Sequence, residues 1–155
     1  MKRIKVDIRK ASSDDLSELL EFEQGIVDAE HPFDKNLKAG KIIYYDIKQL
    51  ISDENAELLV AEHNGRLVGC GSAEIKKSKP YLKHRYHSYL AFMYIDPRYR
   101  GKGVNKQIIE ALAEWSKSKN TYELILHVYN GNKTAVRAYE NAGFRKNIIE
   151  MRIEV

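Results

Sequence analysis

The stretch Tyr89–Lys106, YLAFMYIDPRYRGKGVNK, decides how the rest of the chain is read. It runs from an apolar strand through a turn at Asp96-Pro97 into a basic, glycine-rich loop, and it ends at a helix start. Glycines at such a junction let the backbone approach a ligand closely, and the first helical turn offers N–H groups with no intrahelical partner. Together those groups carry roughly half a positive charge. Arg98, Arg100 and Lys102 bring full charges to the same place. The stretch reads either as an anion site, with a pyrophosphate as its ligand, or as a tight strand-to-helix turn with a solvated basic edge.

Two familiar phosphate loops do not fit. A P-loop needs GxxxxGK[ST], whereas Gly101 and Gly103 are too close together and no Lys-Ser/Thr pair follows. A dinucleotide fingerprint, GxGxxG, meets Lys106 where its third glycine belongs. Glu123 has the separation of the ribose-binding acid but stands at the start of the next strand. What remains is Arg98-x-x-Gly101-x-Gly103 directly after an apolar strand. This resembles the acyl-CoA loop of the GNAT (Gcn5-related) N-acetyltransferase family, in which Arg or Gln is followed by two residues, Gly, one residue, and Gly or Ala. A second block, VYNGNKTAVRAYENAGF from Val128, resembles that family's second segment, where an asparagine opens a helix, a tyrosine lies two turns in and Gly-Phe closes it. The helix is legible without the family. Asn132 is a good N-cap, Val136 and Tyr139 share a face, and Gly143 suits a left-handed C-cap.

Composition sets the bounds. A chain of 155 residues suits one domain, 1–155, with a full core. Its 43% hydrophobic and 31% charged residues are globular values. The net charge of +4, from 26 basic and 22 acidic residues, is mild and compatible with a polyanionic ligand. A nucleic-acid binder would show a basic stripe with stacking aromatics, and nothing in the aromatic placement supports one. The single Cys70 excludes an internal disulfide and fits a reducing cytoplasm. Met1-Lys2-Arg3 leads into an alternating strand, so no signal peptide is expected, and no segment approaches the length of a membrane span.

In chain order, Arg3–Arg9 alternates as a first strand, with Ile4, Val6 and Ile8 on one face. Ser12 or Ser13 caps a helix with Asp14 and Asp15 in its first turn and a buried stripe of Leu16, Leu19, Leu20, Ile26 and Val27. From Asp28 to Gly40 the pattern breaks, and a helix resumes over Tyr44–Ile51. Leu58–Glu62 and Arg66–Lys76 flank Asn64-Gly65, a strong hairpin signal, and form antiparallel second and third strands. Lys76–Arg85 is a basic turn. His87–Ile95 is the fourth strand, and Gly103–Lys117 a helix with Val104, Ile108, Leu112 and Trp115 on one stripe. Glu123–Tyr129 reads as a strand buried on both faces, and Phe144–Val155 as one or two closing strands. This order predicts an α/β fold: a mixed, mostly antiparallel central sheet of six to seven strands with helices on both faces. It is close to the complete topology of the GNAT (acyl-CoA N-acyltransferase) fold.

The resemblance implies direct transfer of the acetyl group of acetyl-CoA to an amine in a ternary complex, with no metal. It implies that the fourth and fifth strands splay to admit pantetheine, held by the main chain of Met93 and Ile95. A bulge in the fourth strand would aim an amide at the thioester carbonyl. Arg98, Arg100, Gly101, Lys102, Gly103, Val104 and Asn105 then face the pyrophosphate, and Asn132, Ala135 and Tyr139 line the pantetheine arm. Asn105 stands where many relatives have a third glycine. Tyr139 occupies the general-acid position opposite the leaving thiolate. The irregular region overlies the acceptor, which makes Glu30, His31, Phe33, Asp34, Tyr44 and Tyr45 candidate substrate contacts. No glutamate lies in the fourth strand, where several relatives keep their base, so Glu74, His87 and Tyr89 are the candidates for deprotonating the amine. The implied acceptor is a small-molecule amine or a peptide or protein amine, and a homodimer is common for the architecture. A reading from another class is a non-catalytic acyl-CoA-binding regulatory module.

Overall fold

Strand alternation gives each face of the sheet its own apolar set, and a separate helical layer covers each face. The computed structural model describes residues 2–155. Among the described residues the sheet has five strands, in spatial order β1 (Asp7–Lys10), β2 (Ala56–His63), β3 (Arg66–Lys77), β4 (Tyr86–Ile95) and β5 (Leu124–Leu126). The first four run antiparallel to their neighbours; β5 runs parallel to β4. On one face Leu19, Phe22 and Ile26 of α1 (Leu16–Glu30) and Ile47 and Leu50 of α2 (Ile47–Ser52) pack on Leu58, Val60, Cys70 and Phe92. On the other, Val104, Ile108 and Leu112 of α3 (Val104–Ser118) pack on Leu59, Ala61, Val68, Ala73 and Leu90. Tyr139, from α4 (Lys133–Asn141), and Phe144 extend that second layer.

Local signals behave as their chemistry requires. Asn64 and Gly65 both take positive φ, 51° and 74°, as a two-residue hairpin turn demands. The start of α1 is fixed by buried Asp15, which accepts the Ser12 N–H at 2.8 Å and two Arg9 guanidinium bonds at 2.8 Å. Arg9 also reaches Glu62 at 2.7 Å, so one guanidinium ties β1, β2 and α1 together. Its hydrogen bonds hold the Asp15 carboxyl below the usual carboxylate range against the opposing effect of burial.

The structure departs from the sequence reading in five places. The sheet has five strands rather than six to seven, because Phe144–Val155 joins no ladder. Ile149, Met151, Ile153 and Val155 alternate like a strand, yet they and Ile148 are each more than four-fifths exposed. The first strand is shorter than Arg3–Arg9, because the start of α3 captures its beginning. Ile4 N–H donates to the Lys102 carbonyl at 3.1 Å, and the Gln107 side chain bonds both Val6 N–H and the Ile4 carbonyl. β5 is a half-buried triplet rather than a seven-residue strand buried on both faces, and Tyr122 and Val128 beside it are exposed. Leu20 faces solvent while Phe22 and Glu23 turn inward. Finally, α2 starts at Ile47, because the Asp46 carboxylate caps it through the Gln49 N–H at 3.1 Å. Tyr44 and Tyr45 are thereby left outside the helix.

Candidate active site

β4 is longer than the neighbour it shares with solvent. It pairs with β5 only at Ser88–Leu124, Tyr89–Ile125 and Leu90–Leu126, then continues alone on that side to Ile95. From Ala91 onward the β5 side of β4 has no ladder, and Met93 and Ile95 lie in this stretch. Main-chain polar groups without a partner there must find water or a ligand. The Ile95 carbonyl already accepts from Arg100 Nε at 3.0 Å. On the β3 side the register jumps from Cys70–Tyr94 to Ser72–Ala91, so Phe92 and Met93 together oppose Gly71. This is a β-bulge, and Phe92 sits in it with φ of 48°, a conformation that costs a side-chain-bearing residue about 1–2 kcal/mol. Its surroundings hold it there. Cys70 Sγ donates to the Phe92 carbonyl at 3.3 Å, Ser72 Oγ donates to the Ala91 carbonyl at 3.1 Å, and the Tyr45 ring stacks on Phe92 at 4.5 Å. Gly71 leaves room for the bulge, since a Cβ there would meet Met93 Sδ at 2.7 Å.

After the strand, Asp96 organises the turn. Its carboxylate accepts the Arg98 N–H at 2.9 Å and pairs with the Arg98 guanidinium at 2.7 Å, which holds its carboxyl below the usual range. Arg98 is therefore folded back on its own turn, and Lys102 lies over the Tyr99 ring at 5.3 Å. Gly101 and Gly103 take φ of 73° and 81°. The first main-chain bond of α3 runs from Gln107 N–H to the Gly103 carbonyl at 3.3 Å, so the amides of Val104, Asn105 and Lys106 precede the helical ladder. Arg3, Lys5 and Lys106 line a hollow of about 330 Å³ beside Gly103, together with Glu110, which pairs with Lys106 at 3.9 Å. Free helix-start amides that follow Arg100 and Lys102 suit a diphosphate. Arg3 and Lys5 were missed in the sequence because no motif marks them; only the capture of the N-terminal segment by Lys102 and Gln107 brings them here.

Across the gap, Asn132 caps α4 by accepting the Ala135 N–H at 3.2 Å. The Tyr139 ring meets Phe144 edge-on at 5.9 Å, and its hydroxyl has no protein hydrogen-bond partner among the described residues. Burial, with a smaller contribution from the Glu30 charge, pushes the phenol up to about 12, so it stays protonated at neutral pH. Glu30, the last residue of α1, accepts the Tyr44 hydroxyl at 2.9 Å. Burial raises the Glu30 carboxyl and outweighs that bond; it also raises the phenols of Tyr44 and Tyr45. Fully buried Glu23 pins the two tyrosines, accepting Tyr44 N–H at 2.9 Å and Tyr45 N–H at 2.8 Å. Asp34 accepts the Tyr129 hydroxyl at 3.0 Å and Arg152 at 2.8 Å, and the Asn36 N–H and Arg152 keep its carboxyl low. His31 opens the 3-10 turn that carries Phe33, which lies against Gly131.

The charge of Glu30 acts on Tyr44, Tyr45, Tyr89, Tyr129 and Tyr139, which marks these side chains as one neighbourhood. Of the base candidates, Glu74 lies opposite Tyr89 in the ladder and pairs with Lys76 at 3.0 Å. Tyr89 contacts His127 at 3.3 Å. The structure does not bring His87 to the gap. It precedes the paired triplet and is held by Ser78 at 2.9 Å, about 15 Å along the strand from the bulge. Glu23, His127 and Tyr129 are further residues that sequence reasoning missed. Glu23 was detectable as a charge inside an apolar stripe, but His127 and Tyr129 only follow β5 and carry no signal of their own.

A mixed sheet with a parallel pair that opens onto a glycine loop and helix start is the architecture of the acyl-CoA N-acyltransferases. The chain belongs to the acetyltransferase (GNAT) family, whose model matches residues 14–144. It is 34% identical over 91 residues to a glucosamine 6-phosphate N-acetyltransferase of Trypanosoma brucei brucei, covering 59% of each chain. It is 27% identical over 140 residues to an uncharacterized N-acetyltransferase of Methanocaldococcus jannaschii, covering 90% of this chain and 60% of that one. The chain thus spans about three fifths of the length of these curated relatives. Among solved structures, a predicted acetyltransferase of Clostridium acetobutylicum with acetyl-CoA superposes with a TM-score of 0.71 at 18% identity, covering 97% of this chain and 96% of that one. A tetramutant of a Bacillus halodurans protein superposes with a TM-score of 0.86 at 19% identity, covering 96% and 99%. No helix among the described residues is long and apolar enough to cross a membrane.

Proposed function

We propose that the chain, as one domain over 1–155, is an acetyl-CoA-dependent N-acetyltransferase that passes the acetyl group directly to a small-molecule or peptide amine. The observation that carries this reading is the loss of pairing beyond Leu90 beside a strained bulge at Phe92. Family membership supports it, as does the fold shared with a neighbour solved with acetyl-CoA.

In this reading the amides of Gly101 and of Gly103 to Asn105 meet the diphosphate of acetyl-CoA, with Arg100 and Lys102 adding charge. Met93 and Ile95 offer main chain to the pantetheine arm, and Asn132 and Ala135 line its other side. The bulge presents an amide to the thioester oxygen as it gains charge. Tyr139 donates a hydrogen bond to the departing sulfur. The acceptor approaches past Glu30, Phe33 and Tyr44. The test is CoA release across polyamines, amino acids, aminoglycosides and peptide N-termini. At least one amine should yield CoA and N-acetyl product in equal amounts. Acetyl-CoA binding without release for any acceptor would instead favour a regulatory acyl-CoA-binding module.

The reading extends to a homodimer in the cytoplasm. β5 leaves an open sheet edge, and the extended apolar tail at Ile148–Val155 offers a second copy a segment to cover. Light scattering should give twice the chain mass, and one chain mass at all concentrations would contradict the dimer. The single cysteine, Cys70, is buried and free, as suits a reducing compartment.

A further inference from the structure

We propose that Glu30 is the group that takes the proton from the incoming acceptor, which therefore enters as an ammonium ion. The inference rests on the acetyltransferase reading and adds to it the missing base and the charge state of the substrate. An aliphatic amine is protonated at neutral pH and cannot attack a carbonyl until it loses that proton. Of the other candidates, His87 is held by Ser78 away from the gap, and Tyr89 is a phenol already in contact with His127. Glu74 carries the Lys76 ammonium on one oxygen, which opposes receiving a proton from a second cation. Glu30 has one oxygen held by the Tyr44 hydroxyl, and its second oxygen has no protein partner among the described residues.

The surroundings favour a cation. Glu30 ends α1, where the helix dipole is negative. Tyr44, from the segment before α2, bonds it directly, and its charge acts on Asp34 from the turn that follows, Tyr45 beside Tyr44, Tyr89 from β4, Tyr129 after β5 and Tyr139 from α4. The cation beside this ring, Arg152, is paired with Asp34. An ammonium ion entering here meets a carboxylate and the faces or oxygens of phenols. Burial lifts the Glu30 carboxyl above its ordinary range, toward the pH at which a base both accepts and releases a proton.

The ammonium gives one proton to the Glu30 carboxylate, and the freed lone pair forms the C–N bond at the thioester carbonyl. The C–S bond breaks with its electron pair on sulfur. The nitrogen's second proton passes to that sulfur, which Tyr139 steadies with a hydrogen bond, and Glu30 later releases its proton to water. The net products are amide, CoA thiol and one proton.

The test compares Glu30→Gln with the parent enzyme on ethylamine and on 2,2,2-trifluoroethylamine, a primary amine of similar size that is neutral near pH 7. CoA release should fall about 100-fold or more with ethylamine but only a few-fold with the fluorinated amine. Acetyl-CoA affinity should be unchanged. Equal losses on both amines overturn the proton role, because a purely structural residue would not sense the charge of the acceptor. A parent enzyme that binds acetyl-CoA yet releases CoA with neither these two amines nor any acceptor of the panel above overturns the acetyltransferase reading, and this proposal with it. Tyr44→Phe is a second variant. It removes the bond that lowers the Glu30 carboxyl, so the acid limb of kcat/KM should move to higher pH; an unmoved limb counts against Glu30.

Discussion

Replacing Tyr139 with Phe isolates one hydroxyl, and the structure fixes how much should be lost. A free thiol has a pKa of about 8.5, whereas burial pushes Tyr139 up to about 12. Complete proton transfer from the phenol to an unaided thiolate is therefore uphill by roughly 3.5 pKa units, or about 5 kcal/mol. In the proposed mechanism Tyr139 therefore works mainly by hydrogen-bonding the sulfur as its charge grows. Such a bond to a charged group is worth about 1.5–3 kcal/mol, so kcat should fall roughly 10- to 150-fold rather than the larger losses of full general-acid catalysis. Among the described residues the hydroxyl has no protein partner to orphan, so stability should stay within about 0.5 kcal/mol and acetyl-CoA affinity within about twofold. The same high pKa means that the parent enzyme shows no loss of activity from Tyr139 ionisation as pH rises to about 10. Stopped-time CoA release, calorimetry with acetyl-CoA and a urea melt supply the three readouts. An unchanged kcat, or a loss that travels with weakened binding or a lowered melt, would show that Tyr139 only packs.

Three further outcomes follow from particular contacts. Tyr45→Ala removes the ring stacked on strained Phe92, and should cost about 2–3 kcal/mol in a urea melt together with a fall in kcat; Tyr45→Phe should restore both. Arg9→Ala should cost about 1–2 kcal/mol, discounted because Arg9 is two-fifths exposed. Since the Asp15 carboxyl is lowered in the folded state, its contribution is present above the unfolded value of about 4 and is lost as pH falls through the folded one. The stability gap between parent and variant should therefore narrow as the solution is acidified. Gly71→Ala places a Cβ 2.6 Å from Ile108 and 2.7 Å from Met93 Sδ, and should cost about 1–3 kcal/mol while weakening acetyl-CoA binding measured by calorimetry.

What could be read from the sequence was what short-range chemistry determines. Gly101, Gly103, Asn132 and the Asn64-Gly65 turn are fixed by their own backbone preferences, so each appears where its local pattern put it. The bulge was anticipated by resemblance, but its holders, Cys70, Ser72 and Tyr45, meet only once β3 and the α1–α2 segment are in place. Alternation over residues 149–155 is a statement about one strand, whereas a strand needs a neighbour, and none pairs with it among the described residues. Ile4 and Val6 alternate equally well, yet Gln107 competes successfully for their main chain. The convergence of Glu30, Tyr44, Tyr129 and Tyr139 is tertiary throughout. Nothing in the spacing of those residues announces it.

The central claim is that the helix-start amides beyond Pro97 and the gap beside β4 together hold acetyl-CoA, and one calorimetric comparison addresses it. Gly103 takes φ of 81° immediately before α3, so the obstacle to a side chain there is the backbone conformation, since a Cβ would meet Arg3 only at an ordinary 3.4 Å. Forcing Val into that conformation costs at least about 1–2 kcal/mol and turns the following amides away from the ligand. Titration of acetyl-CoA into the parent protein should release measurable heat, and Gly103→Val should weaken binding about tenfold or more while the fold is kept. No heat with the parent protein, or the same affinity in both, would contradict the account.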